Sequence, residues 1–274
     1  MHPILFEIPQ FEFSSWVIGP IPIRVYGLMV GIGFLLGIYL ASRRAKKEGV
    51  DSDRILDMGV YLLLAGIVGS RLLYILTTLP DFAKNPLESF AIWRGGLVFY
   101  GGVIVALPVG IWYVRKHSLP VWKTADIVAP YAALGHALGR LGCFFAGCCY
   151  GAPGSGPLCV TFIDPHSLAP LGVALYATQL MESAGEFLIF VTLIVLREYK
   201  KFDGQLFWLY LIFYSILRFV IEFFRGDEVR GVYFGGFVST SQLIAVLLSG
   251  AALSMLWRLR MKQNLGLLHK EKFD

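Results

Sequence analysis

Apolar runs long enough to cross a bilayer alternate along this chain with short charged or glycine- and proline-rich connections. Seven such runs are read, at 24–41, 56–79, 97–114, 124–143, 173–196, 205–224 and 237–257. Each approaches the ~20 residues that a helix needs to span the hydrocarbon core. The pattern predicts an all-α, polytopic integral membrane protein of about seven transmembrane helices, forming a single membrane-embedded domain over 1–274. Ahead of the first run, residues 1–23 carry Pro3, Pro9, Pro20 and Pro22, several aromatics and no basic cluster. That composition does not fit a signal peptide and predicts an interfacial segment, with Phe6, Phe11, Phe13 and Trp16 as headgroup-level anchors.

Composition supports the membrane reading, with 56% hydrophobic and 16% charged residues in 274. A net charge of +5 is not a nucleic-acid signal when the basic residues sit in short loops, and no nucleic-acid partner is expected. Those residues report orientation. Sixteen Lys and Arg fall after the first, third and fifth runs and in the tail, against five made up of Arg24, where the N-terminal segment meets the first run, and four in the other loops. The positive-inside rule then puts the N-terminus outside, the 144–172 loop region outside and the basic tail, 259–274, in the cytoplasm.

Three arginines, Arg71, Arg140 and Arg218, lie within apolar runs. Each would cost about 2.5–3.5 kcal/mol at mid-span on insertion scales, so each needs a partner, a cavity or a headgroup. Arg140 belongs to GHALGRLGCFFAGCCYG at 135–151. There Gly135, Gly139 and Gly142 form a bare helical stripe that allows close approach of a helix or lipid, and His136, Arg140 and Cys143 repeat that spacing one position along. Beyond Cys143 the helical period is lost and a tight loop is expected. In RFVIEFFR, Arg218, Glu222 and Arg225 recur at steps of four and three, on one helical face. A carboxylate fixing one guanidinium while others bind oxygen bidentately is a common way to build a phosphate site. The plainer reading of Glu222 is a salt bridge that locks helices. The fifth run carries Gln179, Glu182 and Glu186. The four cysteines, Cys143, Cys148, Cys149 and Cys159, fit neither a distributed disulfide scaffold nor paired CxxC zinc motifs, so they form one local site or none.

Five motifs, IRVYGLM at 23–29, GGLVFYGG at 95–102, GRLGCF at 139–144, TQL at 178–180 and RFVIEFFR at 218–225, occur in the order seen in bacterial prolipoprotein diacylglyceryl transferases, which the chain resembles over nearly its whole length. The resemblance implies an inner-membrane enzyme that moves diacylglyceryl from phosphatidylglycerol onto the lipobox cysteine thiol of a preprolipoprotein, releasing glycerol 1-phosphate. It implies that Tyr26, Arg140, Gly151, Arg218 and Glu222 matter for activity, with Arg140 a phosphatidylglycerol ligand. Arg225, Gly142, Cys143 and Gly151 are added as substrate-binding candidates. The family pattern GRxGNFxNxE reads here with Cys143, Ala146 and Cys148 in place of two Asn and a Glu. Its FHGG is FYGG, so Tyr100 stands where a histidine is expected.

The chemistry is a displacement at a glycerol carbon in which charge grows on phosphate oxygens, so arginines stabilise the transition state over the diester. No cofactor and no metal is required, and the glycine runs lack the order of a nucleotide-binding loop. Two residues compete as proton acceptor. A phenol of reference pKa about 10 is a poor base, so Tyr100 is expected to orient substrate, while His136 has intrinsically suitable chemistry and shares a helical face with Arg140. Two other classes remain open: a membrane transporter for an anionic or lipid substrate, and a thiol-redox membrane protein using the Cys143 to Cys159 cluster.

Overall fold

The computed structural model describes residues 2–9, 11–13, 16–18, 21–84, 88–89, 95–226, 232–233 and 238–270. The elements in chain order are β1 (Ile4–Ile8), β2 (Phe11–Phe13), β3 (Trp16–Ile18), β4 (Ile21–Arg24), α1 (Val25–Lys47), α2 (Ser52–Thr77), α3 (Leu79–Lys84), α4 (Phe99–Lys116), α5 (Val121–Ala146), β5 (Cys159–Thr161), β6 (Ala174–Tyr176), α6 (Thr178–Leu196), α7 (Gln205–Ile221), β7 (Val232–Tyr233), β8 (Val238–Ser239) and α8 (Thr240–Lys270). The strands form four separate antiparallel pairs, β1 with β4, β2 with β3, β5 with β6 and β7 with β8.

A helix occupies each of the seven apolar runs. Five are long and apolar enough to cross a membrane: α1, α2, α6 with its extension to Tyr199, α7 with its extension to Phe224, and α8 from Thr240 to Gln263. The protein is thus a multi-pass helical membrane protein. Helix α4 ends in Arg115 and Lys116 and contains Pro108, and α5 carries Lys123, Asp126, His136 and Arg140, which lowers the hydropathy of both. Small residues such as Ala41, Ala45, Ala133, Ala137 and Ala252 are buried, whereas Leu35, Leu64, Leu188 and Leu247 are exposed. That inversion suits helices whose outer faces meet lipid rather than water.

The N-terminal segment is stranded rather than helical, as its prolines and the alternation in Phe11-Glu12-Phe13 allow. Phe6 is exposed. The side chains of Phe11, Phe13 and Trp16, together with Phe237 and residues 271–274 of the tail, lie outside the described residues. The basic tail is no separate segment up to Lys270, because α8 continues through it.

The chain forms two compact units, residues 2–37 with 125–270 and residues 38–124. In the second, α2 starts at an Asp51 cap whose carboxylate accepts from the amides of Asp53 (3.0 Å) and Arg54 (3.2 Å). It packs on α4 through Gly69 and Gly101, each lying where a Cβ on the other would strike its carbonyl oxygen. Gly95 and Gly96 have φ of 90° and 73°, so the first glycine pair is non-helical, whereas Gly101 and Gly102 are helical and serve the packing. Arg71 is buried and donates to four backbone carbonyls, Glu88 (2.5 Å), Gly95 (2.8 Å), Ser89 (2.9 Å) and Gly96 (3.2 Å). This first buried arginine therefore holds a loop in place.

In the first unit, α5, α6 and α7 share a core of Ala133, Ile189, Leu193 and Leu206. Buried Asp126 of α5 accepts from the amides of Gly204 (2.8 Å) and Phe207 (2.9 Å), so its carboxylate satisfies the N-terminus of α7, and Lys200 Nζ lies 3.2 Å from it. Arg197, also buried, donates to the Asp126 carbonyl at 3.0 Å. These contacts fix the helices that carry the candidate site.

Candidate functional site

Helix α5 places His136 and Arg140 on one face and its glycine stripe on another. A Cβ at Gly135 would come within 3.1 Å of the Gly33 carbonyl oxygen, and one at Gly142 within 3.1 Å of the Tyr26 carbonyl oxygen and of Met29 Cβ. The stripe is therefore where α1 lies against α5, and it brings Tyr26 beside the end of the arginine helix. That end is a Schellman turn. Gly147 takes φ 74°, its amide donates to the Phe144 carbonyl (3.2 Å), and the Cys148 amide donates to the Cys143 carbonyl (3.2 Å).

Helix α6 supplies the counter-charges. Its Thr178, Gln179, Glu182, Ser183 and Glu186 are all buried, a polar stripe at steps of three and four on an otherwise apolar helix. Arg140 Nη2 donates to Glu182 Oε1 at 2.7 Å. His136 Nδ1 lies 2.9 Å from Glu186 Oε1, and its Nε2 is 4.0 Å from Glu182 Oε1. Ser183 Oγ donates to the Ala137 carbonyl at 2.8 Å, pinning the two helices between these pairs. On α7, Arg218 Nη2 lies 2.8 Å from Glu222 Oε2 and donates to Ser241 Oγ of α8 at 3.1 Å. Tyr214, one turn before Arg218, packs its ring 5.5 Å from His136 and lies within electrostatic range of Arg140, Arg218, Glu182 and Glu186.

Both guanidiniums keep a donor in reserve. Arg140 Nε and Arg218 Nη1 are buried and have no hydrogen-bond partner among the described residues. Leaving a buried donor unsatisfied costs about 1–3 kcal/mol, more for a charged group. Two such donors on arginines already anchored by carboxylates are chemically suited to an anion with several oxygens.

The other candidates are placed as follows. Glu222 is buried and pairs with Arg218 as the spacing predicted. Arg225 is not on the same helical face, because α7 ends at Ile221, a 3-10 turn covers Glu222 to Phe224, and Arg225 is extended (φ −78°, ψ 143°), bridging to Gly151. Gly151 is tightly enclosed, since a Cβ there would lie 2.6 Å from the Phe224 carbonyl oxygen and 2.6 Å from Tyr176 Cβ. Gly142 serves the α1 contact, and Cys143 is buried in the last turn of α5. Tyr100 is exposed in the first turn of α4, in the other unit. All four cysteines are free. Three of them, Cys143, Cys148 and Cys149, bring their sulfurs within 4.8 Å of one another. Nearby, Tyr26, Arg24, Cys148 and His166 line a cavity of about 160 Å³. Asp164 sits at the rim residue His166, and the His166 amide, with the His2 and His166 rings, holds its carboxyl below the usual range.

Glu182, Glu186, Tyr214 and Ser241 are the partners that motif reading did not assign. The two glutamates carried a signal, two carboxylates one turn apart in an apolar helix, which demands cations on a neighbouring helix. Tyr214 and Ser241 carried none, because a tyrosine or serine in such a helix is ordinary.

The family model described as prolipoprotein diacylglyceryl transferase matches residues 14–258. Among curated proteins, the chain is 38% identical over 241 residues to the phosphatidylglycerol–prolipoprotein diacylglyceryl transferase of Finegoldia magna, covering 87% of this chain and 92% of that protein. It is 35% identical over 246 residues to the protein of the same name from Clostridium tetani (90% and 93% covered). It is 34% identical over 244 residues to phosphatidylglycerol–prolipoprotein diacylglyceryl transferase 2 of Clostridium perfringens (88% and 93%). The match covers α1 to α7 and most of α8, with both anchored arginines inside it, and the chain belongs to the prolipoprotein diacylglyceryl transferase family.

Proposed function

We propose that this chain is a transferase that moves the diacylglyceryl group of phosphatidylglycerol onto the lipobox cysteine thiol of preprolipoproteins, with glycerol 1-phosphate as the other product. The observation that carries this reading is the pair of unsatisfied donors on Arg140 and Arg218, buried among apolar helices. A phosphodiester headgroup with acyl tails attached suits such a place. As the carbon–oxygen bond of the glyceryl carbon breaks, the electron pair goes to the phosphate oxygen, and the guanidiniums stabilise that charge more than they do the diester. Glu182 and Glu222 hold the forks in place, and Arg225, Gly142, Cys143 and Gly151 shape the surroundings of the headgroup.

The sulfur that forms the new carbon–sulfur bond belongs to the substrate. Its proton goes to His136, whose Nδ1 faces Glu186 as a base faces its orienting carboxylate, while Tyr26 positions substrate. The paired imidazole also joins α5 to α6, so the same residue has a packing role. The membrane arrangement we propose is seven transmembrane helices in the bacterial inner membrane, N-terminus outside and C-terminus cytoplasmic. It rests on the seven helical segments and the bias of Lys and Arg among the loops.

The test is direct. Purified protein is incubated with phosphatidylglycerol and a lipobox peptide, and the thioether product and glycerol 1-phosphate are measured together. Absence of either product from well-folded protein refutes the assignment.

A further inference from the structure

We propose that Cys143, Cys148 and Cys149 form a three-thiolate site for a thiophilic cation of the Zn²⁺ or Cu⁺ class. The transfer reaction gives these thiols no covalent task, since the sulfur that is alkylated belongs to the substrate, yet the fold gathers them. Their sulfurs lie within 4.8 Å of one another, with Cys143 buried and the other two half-buried. Two thiolates bound at about 2.3 Å to one tetrahedral ion sit roughly 3.8 Å apart, so closure asks for at most about an ångström of side-chain movement.

The backbone is set for that grouping. Adjacent cysteines would project apart on regular backbone. Here the Schellman turn reverses the chain after Ala146, and Cys149 takes φ 60°, a left-handed conformation that few side chains other than glycine, Asn or Asp adopt. Two side chains from the start of α6 hold the loop: Gln179 Nε2 donates to the Cys148 carbonyl and Thr178 Oγ1 to the Cys149 carbonyl, both at 2.8 Å. The geometry is therefore imposed from outside the cysteines and does not depend on a bond between them.

The guanidiniums of Arg140 and Arg225 lie within electrostatic range of Cys149. Three thiolates on a divalent ion leave one net negative charge beside these guanidiniums. Each bound sulfur gives up one proton to solvent, and no electron is transferred, so the step needs neither oxidant nor reductant. The cavity of about 160 Å³ that Cys148 lines with Arg24, Tyr26 and His166 offers a route in. Soft sulfur ligands select Zn²⁺ and Cu⁺ over hard cations such as Mg²⁺ and Ca²⁺.

The test uses the full-length chain in detergent, reduced and stripped with a chelator. It is titrated with Zn²⁺ against a chromophoric competitor and, separately, with Cu⁺ under anaerobic conditions, and thiols open to alkylation are counted by intact mass before and after each ion. We expect one ion per chain, protection of three thiols with Cys159 still labelled, and at least a tenfold loss of affinity in each of C143S, C148S and C149S but none in C159S. Protection by one ion and not the other identifies the cargo. If neither Zn²⁺ nor Cu⁺ changes the alkylation of the unmutated protein, or if stoichiometric binding survives in the triple serine variant, the site does not exist.

Discussion

Replacing Arg140 by lysine separates the duty the structure shows, pairing with Glu182, from the proposed one, binding phosphate. In the structure one arm of the guanidinium is committed to Glu182 at 2.7 Å, and Nε remains for a ligand. Lysine carries the same charge on one nitrogen and can stay paired with Glu182, but it lacks the fixed fork that presents a second donor to a phosphate. The cost to fold is therefore small, whereas Arg140→Ala would strand a buried carboxylate at a cost of about 3–5 kcal/mol. The cost to catalysis is a charge-assisted hydrogen bond, about 1.5–3 kcal/mol. At roughly 1.4 kcal/mol per decade this is a fall of about ten- to more than a hundredfold in kcat/KM. The assay is transfer from phosphatidylglycerol to a lipobox peptide, run beside thermal unfolding in the same detergent. Wild-type kcat/KM in Arg140→Lys would refute the phosphate role, and a collapse of Tm together with activity would show that the arginine only braces α5 against α6.

Glu222→Gln keeps the shape beside Arg218 but removes the charge that anchors it, and activity is expected to fall about tenfold, read as kcat/KM, with Ser241 still holding one arm. His136→Gln should lower kcat much more than it changes KM, and an unchanged kcat would remove it as the proton acceptor. Asp126→Ala removes a carboxylate that satisfies two amides at the start of α7 and faces Lys200, so unfolding should be easier by about 2–4 kcal/mol, with catalysis affected only through stability. An unchanged Tm in that variant would mean that α7 is held some other way.

Much of this arrangement was legible in the chain because a membrane protein advertises its exceptions. A charge in an apolar run has few uses, so Arg140, Arg218 and Glu222 could be picked out, and glycines at steps of four and three could be read as a helix contact. The partners across that contact could not. Which carboxylate meets Arg140 depends on α6 lying beside α5, and periodicity within one run contains no such information. Arg225 shows the complementary failure, since its spacing suited a helix but the helix tightens and stops at Ile221. Strand pairing in the first 24 residues and the run of α8 through its basic end were likewise decided by backbone geometry. The grouping of three cysteines depended on a left-handed residue in a loop, a conformation that composition does not announce.

The polar stripe on α6 also bears on how the chain is made. Released alone into lipid, that helix would bring two carboxylates, an amide and two hydroxyls into hydrocarbon, each charge costing about 2.5–3.5 kcal/mol on translocon scales. Beside α5 and the loop that follows it, the carboxylates meet Arg140 and His136, and Ser183, Gln179 and Thr178 donate to the carbonyls of Ala137, Cys148 and Cys149. The two helices are thus cheaper to deliver to the bilayer as a hairpin than one after the other. The pairs that Glu182 and Glu186 make with Arg140 and His136 give α6, during biogenesis, a reason to wait for its neighbour.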